Sequence, residues 1–194
     1  MSDETTDAPE DVTPEDVTPE DVRMMDYFMH LEYHELVCPI VMTYAASLMK
    51  GKLLGQISPT SGLVYVPPRS YDPVACEWLG DDHLVELKDR GVVTNFTIVT
   101  PVQYYGQEKT EPFAKASIML DDPGGMLSLQ DILEIPPEEV RVGMRVEAVW
   151  FPEGERNIDE IGNRSWGSAA GCIAGWRPTG EPDLPADTFV GKVY

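Results

Sequence analysis

The sequence predicts a mainly β protein with helices at its N-terminal end. Residues 91–100, 113–120 and 145–151 alternate apolar and polar side chains and are rich in β-branched residues, which is typical of strands. Residues 24–50 instead repeat apolar side chains at three- and four-residue steps, which indicates helix. With shorter strands near residues 126–129 and 171–177, the four or five predicted strands fit a small closed barrel.

The chain is strongly acidic. It has 194 residues, enough for one domain with extensions, and a formal net charge of -20. A surface this acidic repels phosphate backbones, so nucleic acid is not an expected partner. No apolar run approaches the ~20 residues that a membrane span needs. The acidic start has the features of neither a signal nor a transit peptide, so a cytoplasmic location is expected.

Residues 1–22 are predicted to form a disordered acidic arm. They hold nine acidic residues and no Lys or Arg, and they repeat Pro-Glu-Asp-Val three times. Such a segment has too little apolar surface to fold by itself. The arm is expected either to keep the protein in solution or to touch a basic surface of a partner.

Residues 23–52 are predicted to form a helical arm. Pro39 should split or kink the helical run, and Gly51 is a plausible stop. The apolar stripe along this arm is wide. Two interpretations therefore remain open: the arm packs on the barrel, or it docks on another subunit.

Residues 53–79 are built like a small zinc ribbon that has lost its metal. Ser58 and Ser61 have the spacing of one C-x-x-C pair, and Asp72 and Ala75 have the spacing of a second pair. A structural zinc site needs soft ligands such as four thiolates to complete its tetrahedron, and none of these four residues is Cys. The pattern therefore predicts the frame of a ribbon without bound zinc.

The remaining chain is predicted to form the barrel over residues 80–177 and an extended tail over residues 178–194. Within the barrel region, the charged stretch 78–89 is interpreted as a connector and residues 131–135 as a turn or a short helix. The tail contains three prolines, which favour an extended chain over a helix.

Three runs of residues carry a family resemblance. They are Gly62-Leu63-Val64-Tyr65-Val66-Pro67-Pro68-Arg69, Arg141-Val142-Gly143-Met144-Arg145-Val146 and Trp176-Arg177-Pro178-Thr179-Gly180-Glu181-Pro182-Asp183. Together they resemble the zinc-ribbon/OB-fold, acyl-CoA-associated family catalogued as domain of unknown function thirty-five. The resemblance covers residues 27–194. It implies an OB-fold barrel preceded by a metal-free rubredoxin-like ribbon.

The resemblance also implies a function. The run over residues 176–183 resembles the tail of members that pair with thiolases, so the chain is expected to be a non-catalytic accessory subunit of a thiolase-like enzyme, a thiolase or a retro-aldol lyase. That enzyme would act on acyl-CoA in lipid, steroid side-chain or aromatic acyl-CoA degradation. The alternative is a free-standing acyl-CoA or lipid binding module. An enzyme in its own right is the weakest hypothesis, because no set of acids and bases converges in the sequence.

The candidate residues for contact with coenzyme A or a partner protein are polar and aromatic. An arginine can hold a phosphate by a bidentate contact, or it can pair with one of the many acidic residues. The aromatic residues can stack on adenine or cover the end of the barrel. No catalytic residue and no cofactor are predicted, and a coenzyme A ester is the expected ligand. The candidates are Arg69, Tyr71, Tyr104, Tyr105, Phe113 and Lys115.

Overall fold

The computed structural model describes residues 29, 38–100, 111–158, 169 and 171–189. All of these except residue 29 belong to one compact unit, Glu35–Tyr194. This part of the chain contains one α-helix and ten strands. They are α1 (Pro39–Met49), β1 (Leu53–Ile57), β2 (Val64–Tyr65), β3 (Tyr71–Asp72), β4 (Glu77–Trp78), β5 (Leu84–Leu87), β6 (Arg90–Val99), β7 (Phe113–Leu120), β8 (Met126–Asp131), β9 (Arg145–Trp150) and β10 (Ile173–Pro178).

The helix α1 begins and ends where the sequence has its strongest signals. Pro39 occupies the first helical turn, where no backbone N–H is needed for the helix. The predicted stop is confirmed, because the helix ends at Met49 and Gly51 follows in the left-handed region with φ 74°. Tyr44 and Leu48 are buried one turn apart, and the helix contacts β1. The predicted helical run before residue 38 lies outside the described residues, apart from residue 29.

A three-stranded antiparallel sheet has the order β2-β1-β5. Its third strand corrects the interpretation of residues 78–89 as a connector, because Leu84–Leu87 pairs with β1. In this pairing Leu53 lies opposite Leu87, and both side chains are buried. The pairing partner lies about thirty residues earlier in the chain, so the short charged stretch gives no local signal of it.

The second sheet has five strands in the order β10-β9-β6-β7-β8. Its two edges meet, because Ile132 forms a parallel bridge with Trp176 and the Leu133 N–H donates to the Trp176 carbonyl over 2.7 Å. A five-stranded, partly open barrel of this kind is an OB-fold. The predicted turn or helix over residues 131–135 is wrong at Asp131, which ends β8, and Ile132 continues the pairing.

The barrel interior is filled by the inward side chains of this sheet. Every second residue of β7 is buried, which is the pattern of a strand with one face in a core. Trp176 is fully buried, and its indole N–H donates to the Gln130 amide oxygen over 3.3 Å. In the part of the chain that the structure describes, no helix has the length and apolar character to cross a membrane.

Candidate functional site

The four positions that resemble lost zinc ligands lie together and are joined by hydrogen bonds. The Ser61 hydroxyl donates to Asp72 Oδ2 over 2.7 Å, and the Ser58 hydroxyl oxygen accepts from the Ser61 N–H over 3.1 Å. The Ala75 N–H donates to Asp72 Oδ1 over 3.2 Å. A buried carboxylate therefore links the turn after β1 to the turn after β3, as a metal ion would in a closed ribbon.

Asp72 is the centre of this network. Its side chain is fully buried, and Oδ1 also accepts from the Tyr65 hydroxyl over 2.6 Å and from the Val74 N–H over 2.8 Å. Burial by itself would raise the pKa of the Asp72 carboxyl. The hydroxyls of Ser58, Tyr65 and Ser61 and the Val74 N–H outweigh burial and hold this pKa well below its usual range. The carboxylate is thus ionised at neutral pH.

The corner Pro67-Pro68-Arg69 is held by Gln56, which was not among the candidate residues predicted from the sequence. Gln56 is fully buried on β1. Its amide oxygen accepts from the Arg69 N–H over 3.0 Å, and its amide nitrogen donates to the Gly80 carbonyl over 2.9 Å. A glutamine inside the otherwise apolar strand Leu53–Ile57 is the signal that could have revealed it, because a buried amide requires partners.

The Arg69 side chain at this corner is exposed. Its guanidinium lies over the Tyr65 ring, 5.4 Å from the ring centroid. Among the described residues no carboxylate forms an ion pair with it, so the alternative of an acidic partner is not realised there. A guanidinium stacked on one aromatic face keeps its N–H edges directed outward, and these edges can bind a phosphate.

The other candidate contact residues lie in different parts of the fold. Tyr71 is on β3, and its ring packs edge-on against Trp78 with centroids 5.2 Å apart. Phe113 and Lys115 are both on β7 of the barrel. The Lys115 ammonium is held by Asp131 at 3.1 Å and by the Leu129 carbonyl at 3.3 Å. Tyr104 and Tyr105 lie outside the described residues.

We call residues 53–79 the ribbon segment. An open cleft of about 250 Å³ lies between this segment and the barrel. It is lined by residues 62–64 and by residues 119 and 123–126 around the β7–β8 turn. Every side chain in this lining is apolar or absent. The cleft therefore suits an apolar group and offers no acid or base.

Two of the runs that carry the family resemblance bind each other. Arg145 forms two hydrogen bonds with Asp121, of 2.7 and 2.6 Å, and its Nε donates to Glu181 over 3.4 Å. Arg141 donates to Asp183 from two nitrogens, one of them over 2.9 Å. The Arg145 hydrogen bonds hold the pKa of Asp121 below its usual range. These ion pairs thus hold the tail after β10 against the barrel.

The tail also needs a glycine in the barrel. The Leu184 N–H donates to the Gly143 carbonyl over 2.8 Å. Gly143 has a φ of 91°, and a Cβ at this position would collide with the Leu184 carbonyl. The glycine in the Arg-Val-Gly-Met-Arg-Val run is thus required by the turn and by the close approach of the tail.

The fold defines this protein as an OB-fold protein in which a small three-stranded sheet and a two-stranded hairpin accompany the barrel. Residues 84–151 match the family described as ChsH2, C-terminal OB-fold domain. The OB-fold part of the resemblance predicted from the sequence is therefore confirmed for these residues, which match the OB-fold domain of that family. No protein of curated function matches the chain.

Two solved structures match part of this chain. One is described as "Ltp2-ChsH2(DUF35) aldolase"; it has a TM-score of 0.51 and 16% identity, and the match covers 75% of this chain and 98% of that chain. The other is a DUF35 protein of unknown function from Sulfolobus solfataricus, with a TM-score of 0.44, 22% identity and coverage of 57% of this chain and 78% of that chain. At 16% identity the likeness to the first structure concerns the fold alone.

Proposed function

We propose that this chain is a non-catalytic OB-fold accessory subunit of a thiolase-like enzyme, a thiolase or a retro-aldol lyase, that acts on an acyl-CoA. The observation that carries the proposal is the match of residues 84–151 to the ChsH2 OB-fold domain. The similar fold described as an Ltp2-ChsH2(DUF35) aldolase supports it, because there the ChsH2 chain is named together with an aldolase. The substrate class we assign is a lipid, steroid side-chain or aromatic acyl-CoA.

The carboxylates with lowered pKa values support a structural role for the polar groups of this chain. Perturbed pKa values often mark catalytic groups, but ion-pair networks produce them too. The Asp72 carboxylate is enclosed by hydroxyl and amide donors within the ribbon segment, and Asp121 is held by Arg145. Both pKa values are lowered by bonds that hold two parts of the chain together. These groups thus serve the fold, and we assign the acid–base chemistry to the partner subunit.

The size of the cleft favours an accessory subunit over the alternative, a free-standing acyl-CoA or lipid binding module. Pockets for small molecules usually enclose roughly 300–1,000 Å³. The cleft between the ribbon and the barrel is smaller, at about 250 Å³, and it is open to solvent. An acyl-CoA ester would need further walls, which a second subunit can supply.

The experiment that tests the proposal is co-expression. Each thiolase-fold protein encoded in the same genome is produced with an affinity tag together with this chain, without a tag. We expect one of them to retain the chain through affinity and size-exclusion steps at a fixed ratio. A chain that stays separate from all of them, and that binds an acyl-CoA alone with micromolar affinity, would support the free-standing binding module instead.

We expect Arg69→Glu to raise the KM for the acyl-CoA about tenfold in the complex, because a charge-assisted contact to phosphate contributes roughly 1.5–3 kcal/mol. The guanidinium is exposed and lies over Tyr65, so its replacement should leave the complex intact. Steady-state kinetics measure the effect. Lys88→Glu is the control, with the same change of charge at another exposed residue. Equal KM values for Arg69→Glu and the wild type would remove Arg69 from the ligand site.

A further inference from the structure

The hairpin formed by β3 and β4, residues 71–78, is polar inside and apolar outside. We call it the ribbon tip. Asp72 is fully buried in it, whereas Trp78 is 79% exposed and Val74 is 67% exposed. The Tyr71 ring packs edge-on against Trp78 on the same outward side. This is the reverse of the usual arrangement, in which the aromatic residues of a small hairpin would be covered and its carboxylate would face water.

The inverted arrangement is held rigidly. Asp72 accepts hydrogen bonds from the backbone N–H groups of Val74 and Ala75, which fixes the turn between the two strands. Tyr71 lies opposite Trp78 in the strand register, and the Leu79 N–H donates to the Ser70 carbonyl over 3.0 Å at the base of the hairpin. An aromatic pair fixed in this way loses little conformational freedom on binding, so it is well prepared to contact a partner.

The charges beside the ribbon tip indicate the chemistry of that partner. Asp81 and Asp82 follow it shortly after in the chain, and both are exposed. Nucleic acid and anionic membrane surfaces would be repelled by these carboxylates. A protein surface with an apolar pocket bordered by Lys and Arg residues would be complementary to this surface. The pocket would take the aromatic pair, and the basic residues would face Asp81 and Asp82, which we call the acidic rim. Exposed Trp and Tyr residues are the types that most often dominate the binding energy of protein interfaces.

We propose that the ribbon tip is the surface by which this chain docks on a partner protein, with Trp78 and Tyr71 in an apolar pocket bordered by basic residues. The inference rests on the proposed function, in that the partner is the thiolase-like subunit. Asp72 is a positioning residue of this surface, because its burial directs the aromatic pair outward. The acyl-CoA contact proposed for Arg69 is a separate feature.

The test is the affinity of the purified complex, measured by titration of the thiolase-like subunit with the full chain. The double variant Tyr71→Ser/Trp78→Ser is expected to bind at least about 30-fold more weakly, since interface residues of this type typically cost 2 kcal/mol or more when truncated. Val142→Ser is the matched control, because Val142 is an exposed apolar residue of the barrel, 44% exposed. It should bind like the wild type. Thermal unfolding confirms that each variant is folded.

A second measurement, of the association and dissociation rate constants, tests the acidic rim. Asp81→Asn/Asp82→Asn should lower the association rate constant more than it raises the dissociation rate constant, and this difference should shrink at high salt. Equal binding of the wild type and the Tyr71→Ser/Trp78→Ser variant would overturn the docking surface while leaving the accessory-subunit role intact. A wild-type chain that binds no thiolase-like subunit would overturn the proposed function itself and, with it, the partner assigned here.

Discussion

Arg145→Met is expected to lower the free energy of unfolding by about 3 kcal/mol, because it leaves a partly buried carboxylate without its cation. The Arg145 side chain is only 11% exposed, and it makes two hydrogen bonds with Asp121 and a third with Glu181. Methionine keeps the length and the apolar packing of the stem, so the loss reports the charge and its hydrogen bonds. Urea unfolding followed by tryptophan fluorescence measures the change.

Arg141→Met is the matched control for this prediction. Arg141 belongs to the same run and also binds one carboxylate with two nitrogens, but its side chain is 54% exposed. An exposed ion pair contributes little, so we expect a loss below about 1 kcal/mol. Equal losses of stability for the two variants would mean that burial does not strengthen the Arg145 ion pairs. This would contradict the interpretation that Arg145 contributes more than Arg141 to holding the tail on the barrel.

Asp72→Ala is expected to open the ribbon segment. The substitution removes the acceptor of the Tyr65 and Ser61 hydroxyls and of the Val74 and Ala75 N–H groups, and it leaves these donors without a partner. Hydrogen exchange of the Val74 and Ala75 amides should become at least about tenfold faster. The β6–β7 amides of the barrel should keep their protection, because that part of the sheet does not depend on Asp72.

The pH dependence of stability distinguishes the contribution of the Asp72 charge from that of its size and shape. Its pKa is depressed in the folded protein, so the stability that it contributes is present above the unfolded-state value of about 4 and is lost as the pH falls through the folded-state value. The wild type should therefore be more stable than Asp72→Asn at neutral pH, and this difference should disappear in strong acid. A difference that is independent of pH would show that Asp72 is not ionised in the folded protein.

The barrel strands could be predicted because their signals are local. The alternation over residues 91–100 and 113–120 corresponds closely to β6 and β7. The strand β5 and the end of β8 could not be predicted in this way. Their pairing depends on β1 and on Trp176, which are distant in sequence, and a short stretch has too weak a preference to override such contacts.

The sequence predicted which residues would lie together in this site, but it did not predict their hydrogen bonds. The spacing of Ser58, Ser61, Asp72 and Ala75 grouped these four residues, whereas nothing in that spacing shows that Asp72 would bind the Tyr65 hydroxyl. The partners of a buried polar group are set by the folded chain and have no sequence pattern. The exposure of Trp78 follows from the same burial of Asp72, so the sequence offered no separate signal for it.

The measurement that tests the central claim most directly is the mass of the assembly that forms when the thiolase-like subunit and this chain are produced together. Light scattering after size exclusion should give the mass of a complex that contains both chains at a fixed ratio, and acyl-CoA turnover should accompany that complex. A mass equal to that of the thiolase-like subunit alone, with this chain eluting separately and turnover unaffected by its absence, would contradict the account.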